Sequence, residues 1–484
     1  MHYNIKNILS SGNCWNSDTS TPIYQNLYNA LKKVITEKMI PADIKLPPSR
    51  ILSKDLKISR SSVIKAYELL SLENYIVSRQ GSGYYIVPDK RQTNASPKKI
   101  QSNIYGFPAI SKRAKSFQKN QYLSTDNFSK KNIAFRPGLP PLDIFPIKKW
   151  KNITNNYWAH SKPTYLSYAP PEGLDILRIR IANYLKIYRN IDCNYQQIII
   201  TSGSLHSLYL IGNALINKGD GIVMENPTFP RAYNLFKSLK ARVVACDIDR
   251  YGMDISRIKN PHIKLLYTTP SNQYPLGVKM SFERRLEILE WTARNNALVV
   301  EDDYDHEFSN WKNPVPSLFS LDKHSRVIYQ GTFNKLLHPS LRLGYMIVPE
   351  YLKEPVKAVY EQSTRFIPSS TQEILSRFIE KDYLNKHLRE VVKIAQERKQ
   401  LFLDSTKESL AIETTDTGLH LIAKIKHSIK DTDAFKILLS KNVVAYPLSN
   451  YYIGKEKKEG LVMGYSSVNS KVIKEKTGLI NDLL

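Results

Sequence analysis

Apolar positions near the start of the chain recur at helical spacing. Ile23, Leu27, Leu31, Val34 and Ile35 fall on one face of a 3.6-residue repeat and predict a first amphipathic helix. Pro41 and then Pro47-Pro48 interrupt it, because proline has no amide proton to give a helix interior. Ser49 is expected to cap a second helix carrying Ile51, Leu52 and Leu56. After a tight turn at Lys57-Ile58, Ser59 is expected to cap a third helix from Arg60 to about Glu73, with Val63, Tyr67 and Leu70 inside. Tyr75-Ile76-Val77 and Tyr84-Tyr85-Ile86-Val87, with Gly81 and Gly83 between them, read as a two-stranded wing. A helix, a short turn, a capped helix and a strand pair outline a winged helix-turn-helix.

Beyond Phe135 the pattern changes. Helical stretches alternate with short β-branched runs: 198–201, 221–224, 264–267, 298–300 and 326–329. Such runs between helices predict an α/β domain with a mainly parallel central sheet covered on both faces. Between the two blocks, residues 89–134 hold ten lysines and arginines against Asp89 and Asp126, with Ser, Asn and Gln filling much of the rest. Few of these residues can build a core, so the segment reads as a basic flexible linker. The expected domains are therefore 19–88, linker 89–134, and 135–484.

Charge sharpens the first block. The chain carries a formal net charge of +26, an excess that fits either a polyanionic partner such as nucleic acid or an anionic membrane surface, or a lysine-rich composition with no binding role. Arg60, Ser61, Ser62 and Lys65 lie on the early turns of the third helix, the end that enters the major groove in this motif. Arginine can bind guanine O6 and N7 together, while serine and lysine mainly hold phosphates. Arg50 and Arg79 are placed to grip the backbone on either side. A small helical domain with a solvated basic face, or a protein-docking module, is the competing reading. Cys14, Cys193 and Cys246 are odd in number and far apart, which argues against a disulfide framework or CxxC metal site and fits a reducing cytoplasm. No apolar leader and no run of about 18 apolar residues is seen, so neither a signal peptide nor a membrane span is expected.

Candidate chemistry concentrates in the second block. Lys335, in Gly331-Thr332-Phe333-Asn334-Lys335, follows a strand among small and hydroxyl residues, as a Schiff-base lysine can. Thr201-Ser202-Gly203-Ser204 opens a helical pattern, where free amides and hydroxyls can cradle a phosphate. Glu301-Asp302-Asp303-Tyr304-Asp305-His306-Glu307 ends an apolar strand. It reads either as a metal cluster or, more simply, as one carboxylate beside a pyridine nitrogen, keeping it protonated as an electron sink. No second ligand cluster supports the metal reading. Arg342 is spaced to clamp a phosphate bidentately.

Two resemblances follow from these motifs. Pro22-Ile23-Tyr24-Gln25, Leu46-Pro47-Pro48-Ser49-Arg50, the run Ser59 to Glu68, and Gly81-Ser82-Gly83 resemble a GntR-type winged helix. That resemblance implies DNA contacts from Arg50, Ser59, Arg60, Ser61, Ser62 and Gly81. Phe135-Arg136-Pro137-Gly138-Leu139-Pro140, Tyr168 with Pro171-Glu172-Gly173, Glu225 to Phe229, and Thr269 to Gly277 resemble the fold-type-I aminotransferases. By that likeness the cofactor is pyridoxal phosphate, joined to Lys335. Asp302 meets the ring nitrogen, Tyr304 the ring hydroxyl, and Phe229 stacks on the ring. Ser202, Gly203, Ser204, Thr332 and Arg342 hold the phosphate, and Tyr168 reaches the phosphate of a partner subunit. The combined arrangement resembles the MocR-like transcription regulators, which implies a head-to-tail homodimer on double-stranded DNA and a cytoplasmic location.

The chain also departs from the aminotransferase pattern. Val462 stands where the likeness expects an arginine for the substrate carboxylate, and a buried carboxylate without a partner is costly. Asn334 precedes Lys335 where serine is usual, and Leu205 and His206 replace polar residues after the cradle. His206 is expected on the helix surface or behind the site, and Arg231, beside Phe229, is a candidate contact for a small amine or amino-acid effector. Three functions stay open: a regulator sensing pyridoxal phosphate or an amine, a true aminotransferase with an accessory DNA-binding domain, and a repressor whose large domain only dimerises.

Overall fold

Four helices and a strand pair build the N-terminal unit: α1 (Ile5–Ser11), α2 (Ile23–Thr36), α3 (Ser49–Leu56), α4 (Arg60–Leu72), β1 (Ile76–Arg79) and β2 (Gly83–Ile86). The computed structural model describes residues 5–11, 21–88, 109–118, 134–258, 262–308, 315–406, 409–413, 418–426 and 429–484. The chain divides into two units between Ala109 and Ile110. Leu27, Leu31, Val34, Leu52, Val63, Tyr67 and Leu70 form one core with Ile76 and Ile86 of the wing. Ser59 caps α4 by accepting from the Ser62 amide at 3.1 Å. Lys57 turns the chain between α3 and α4 in the left-handed region, φ 54°.

Three details differ from the sequence reading. Ile5 and Leu9 of α1 are buried in this core, so the unit begins before residue 19. Pro48, not Ser49, is the N-cap of α3, and Ile51 is 52% exposed. Eight residues give α3 about two turns, and Leu52 alone takes the fully buried position. Much of the expected linker lies outside the described residues. Within it, Lys112–Gln118 forms a helix, α5, lying near Pro230–Ser238. Its composition favours helix, and Ser111 Oγ accepts from the Ala114 amide at 3.1 Å.

In the large unit, α6 (Ile147–Ala159) precedes α7 (Asp175–Arg189), α8 (Ser204–Leu215) and α9 (Pro230–Ser238), and these last three pack against an eight-stranded sheet. Its strands are β3 (Ile198–Thr201), β4 (Gly221–Asn226), β5 (Arg242–Asp249), β6 (Gly252–Met253), β7 (Ile263–Thr268), β8 (Leu298–Asp302), β9 (Val327–Thr332) and β10 (Gly344–Ile347), in the order β3-β10-β9-β8-β7-β4-β5-β6. The run β9-β8-β7-β4-β5 is parallel, while β10 and β6 pair antiparallel. Alternate residues enter two separate cores. Ile222, Leu265, Val300 and Ile328 pack on one face, and Val223, Leu266, Val299 and Val327 on the other. That double burial explains why these strands read as unbroken apolar runs. A second sheet, β11 (Leu410–Glu413), β12 (Leu421–Ile425), β13 (Tyr446–Pro447) and β14 (Leu461–Met463), is antiparallel with order β11-β12-β14-β13. Among the described residues, no helix is long and apolar enough to cross a membrane.

Candidate cofactor site and nucleic-acid interface

Open α/β sheets bind ligands beyond the carboxyl ends of their parallel strands. There the chain leaves β8 at Asp302, β9 at Thr332 and β4 at Asn226, delivering Asp302, Lys335 and Phe229. These three line one cavity of about 220 Å³ with Ser204, Arg231 and Tyr304.

Asp302 is buried at the tip of β8. Tyr267 donates its hydroxyl to Oδ2 at 2.8 Å and the Gln330 side chain also supports the carboxylate, while the buried Oδ1 has no hydrogen bond of good geometry. Burial raises the carboxyl pKa to about 6. A raised pKa means that the folded chain keeps this proton when the unfolded chain has lost it. Stability from this group is therefore full at low pH and falls as pH rises from about 4 through about 6. Asp302→Asn is expected to stabilise the cofactor-free protein by about 1–3 kcal/mol near pH 8 and to change little near pH 4. Denaturant unfolding at both pH values checks this; equal effects at the two would exclude an ionised, desolvated carboxylate.

Lys335 lies in the turn after β9. Its ammonium sits 4.1 Å from the centre of the Tyr304 ring. Gly138, at φ 70°, backs it so closely that a Cβ there would lie 2.6 Å from Nζ. Burial lowers the Lys335 pKa, opposed by the charges of Asp305 and Asp302. The turn is pinned by Thr332 Oγ1, which accepts from the Asn334 amide at 3.2 Å. Tyr304 donates its hydroxyl to the Asn272 carbonyl at 2.9 Å, and Phe229 meets Tyr274 edge-on at 5.9 Å.

A glycine turn forms the other end. Gly203 has φ 105°, and α8 starts immediately after it at Ser204. A Cβ on Gly203 would stand 2.9 Å from Asn334 Nδ2 and 3.9 Å from Arg342 Nη1, so the arginine is beside the amides that open the helix. Arg342 itself is in the left-handed region, φ 52°. The Ser202 amide donates to His206 Nδ1 at 3.1 Å, and Thr364 faces Nε2 at 3.3 Å. His206 is buried, with its pKa lowered to about 4 by desolvation and then by the Arg342 charge. It supports the turn from behind, and its alternative placement on the helix surface is corrected.

The acidic run divides its labour. Glu301 accepts the Leu318 and Phe319 amides at 2.9 Å each. Asp303 takes Arg189 at 2.7 Å and Tyr329 at 2.8 Å. Of the carboxylates in this run, only Asp302 lines the cavity. Tyr168 does not join the site: it is 72% exposed, with Phe366 against its ring at 5.9 Å and Arg365 over it at 4.5 Å. Sequence reading gave no role to Arg136, Tyr267 or Tyr446. Arg136 stands in a motif that was legible, but its place beside Tyr446 depends on pairing between distant segments.

On the N-terminal unit, Arg50, Ser59, Arg60, Ser61, Lys65 and Gly81 are exposed, and Ser62 is half-buried by its capping contact. Arg60 Nε donates to Ser49 Oγ at 3.4 Å, which holds it beside the start of α3. Lys65 lies over the Tyr24 ring at 4.2 Å. Gly81 turns the wing at φ 70°. Arg79, expected to grip a phosphate, pairs with Asp43 at 3.2 Å.

Residues 23–86 match the bacterial regulatory proteins of the gntR family, and residues 135–462 match aminotransferase class I and II. The chain is 32% identical to the probable rhizopine catabolism regulatory protein MocR of Rhizobium meliloti, over 95% of this chain and 93% of that protein. It is 25% identical to the HTH-type pyridoxine biosynthesis transcriptional regulator PdxR of Corynebacterium glutamicum, covering 96% and 97%. Its fold is similar to that of an archaeal alanine:glyoxylate aminotransferase (TM-score 0.69, 24% identity, 78% of this chain and 95% of that one). It is also similar to LysN, the α-aminoadipate aminotransferase of Thermus thermophilus (TM-score 0.69, 22% identity, 77% and 97%).

Proposed function

The chain belongs to the MocR-like gntR-family regulators, a winged helix followed by an aminotransferase class I and II domain, and from that premise we propose that occupancy of its cofactor site by an amine controls its hold on DNA. It is a DNA-binding regulator, and the cofactor of its large domain is pyridoxal phosphate. One observation carries the proposal. The cavity joins Lys335 to a buried carboxylate with an open oxygen, in a chain whose other unit exposes Arg50, Arg60 and Lys65.

The residues fit the cofactor. Asp302 Oδ1 is left without a well-formed hydrogen bond, which a protonated ring nitrogen would complete, and Asp302 would hold that proton there. The Gly203 turn, Ser202, Ser204, Thr332 and Arg342 would receive the phosphate at the start of α8. Phe229 would lie against the ring, and Tyr304 would support Lys335 and the ring hydroxyl. Lys335, its ammonium disfavoured by burial, offers the amine that joins the cofactor. When bound, pyridoxal phosphate supplies an electron sink for an amine attached to it. Arg231 would meet the effector.

The same reading assigns the winged-helix unit, through residue 88, to DNA binding, 89–134 to a basic linker and 135–484 to sensing. It makes the protein a cytoplasmic head-to-tail homodimer, with the exposed Tyr168 available to the phosphate of the partner subunit. A ligand shifts such an assembly only as far as it binds one arrangement better than another.

A true aminotransferase is the rival, and Val462 weighs against it: the residue is wholly buried in β14 among apolar neighbours. The deciding experiment titrates amines at saturating pyridoxal phosphate. A regulator changes its affinity for a duplex selected from a random pool, without sustained amino transfer between free substrates. Many turnovers with unchanged DNA affinity would favour the enzyme.

A further inference from the structure

Arg136 shares the cavity with Arg231 and Lys335, and the cofactor leaves it without a task. The main chain explains how it arrives. The Gly464 amide donates to the Phe135 carbonyl at 2.7 Å, tying the segment of Arg136 to the chain just beyond β14. Val462 of β14 pairs with Tyr446 of β13, and Arg136 is hydrogen-bonded to Tyr446. The guanidinium thus reaches the cross-strand neighbour of Val462 from an adjacent segment, while Val462 itself packs with Ile422 and Val444. Arg231 also acts on Tyr446: both arginines oppose the rise that burial imposes on this phenol.

Two guanidinium groups line one cavity and act on the same phenol, so an anion entering there meets positive charge from both. Each can also give an acid group two parallel hydrogen bonds. We infer that Arg136, with Arg231, binds the acid group of the amine that meets Lys335, so that the effector is a primary amine carrying a carboxylate or sulfonate. Arg136 thereby takes over the work that Val462 cannot do. The inference rests on the proposed cofactor site and adds its ligand class and a specificity residue.

The test uses the full chain saturated with pyridoxal phosphate and reads the visible absorbance change on adding amines. The probes are L-alanine, 3-aminopropionate, 2-aminoethanesulfonate and acid-free propylamine. At least one acid-bearing amine is expected to act at lower concentration than propylamine in the wild type. Comparing the probes separates carboxylate from sulfonate and an α- from a more distant amine. Arg136→Met is expected to cut that preference by about 10- to 100-fold, and Arg136→Lys to retain part of it. Because the preference is a ratio within one variant, a general loss of cofactor does not imitate it. A preference intact in Arg136→Met, or no preference in the wild type, overturns the inference. A wild type lacking any Lys335-dependent band instead overturns the cofactor site beneath it.

Discussion

Lys335→Ala is expected to abolish covalent attachment of pyridoxal phosphate, and with it every effect of amines on DNA binding. The amine is held between the Tyr304 ring and Gly138, and no other lysine among the described residues lines the cavity. Removing it leaves the turn intact, since the Asn334 amide still meets Thr332 and the Leu336 and Leu337 amides still meet the Phe333 carbonyl. The variant should therefore fold and still bind DNA. The measurement is borohydride reduction at one equivalent of cofactor, followed by peptide mapping. The wild type should carry the adduct on Lys335 and the variant no site-specific adduct. With so many surface lysines in this chain, the low cofactor ratio matters. An adduct mapping elsewhere in both proteins would remove Lys335 from its role.

Arg60→Ala is expected to weaken binding to a selected duplex by about 1–3 kcal/mol, with a smaller loss on random DNA. Arg60 is the first residue of α4 and is exposed, and its contact with Ser49 steadies it beside α3. An arginine so placed can read a base edge at the helix start. Fluorescence anisotropy against both DNAs at fixed salt checks the claim. Equal losses on the two would make Arg60 a phosphate contact, with a salt slope reduced by about one.

Much of this was legible in the sequence where the signal was local. Ser59 and the spacing of Val63, Tyr67 and Leu70 announce α4, because a cap and one apolar face suffice. The central strands announce themselves because both their faces are buried. The small sheet was harder: β13 has two residues and β14 three, and their identity as strands comes from pairing, not propensity. Ile51 fits the helical repeat yet points outward, because a two-turn helix buries little. Asp302 and Lys335 were readable from motifs. The place of Arg136 was not, because it depends on the Gly464 to Phe135 hydrogen bond across more than three hundred residues. His206 looked peripheral until the Ser202 amide was seen to donate to it.

The central claim is that the cofactor site and the winged helix are thermodynamically linked. It is tested most directly by following both in one sample: the full chain with saturating pyridoxal phosphate and a labelled selected duplex, titrated with an amine that shifts the visible spectrum. If the two are linked, DNA affinity changes over the same amine concentrations as the absorbance, and added DNA shifts the amine midpoint by the reciprocal factor. An absorbance change that runs to completion while DNA affinity stays constant would contradict the account and leave a cofactor-binding domain and a DNA-binding domain that act independently.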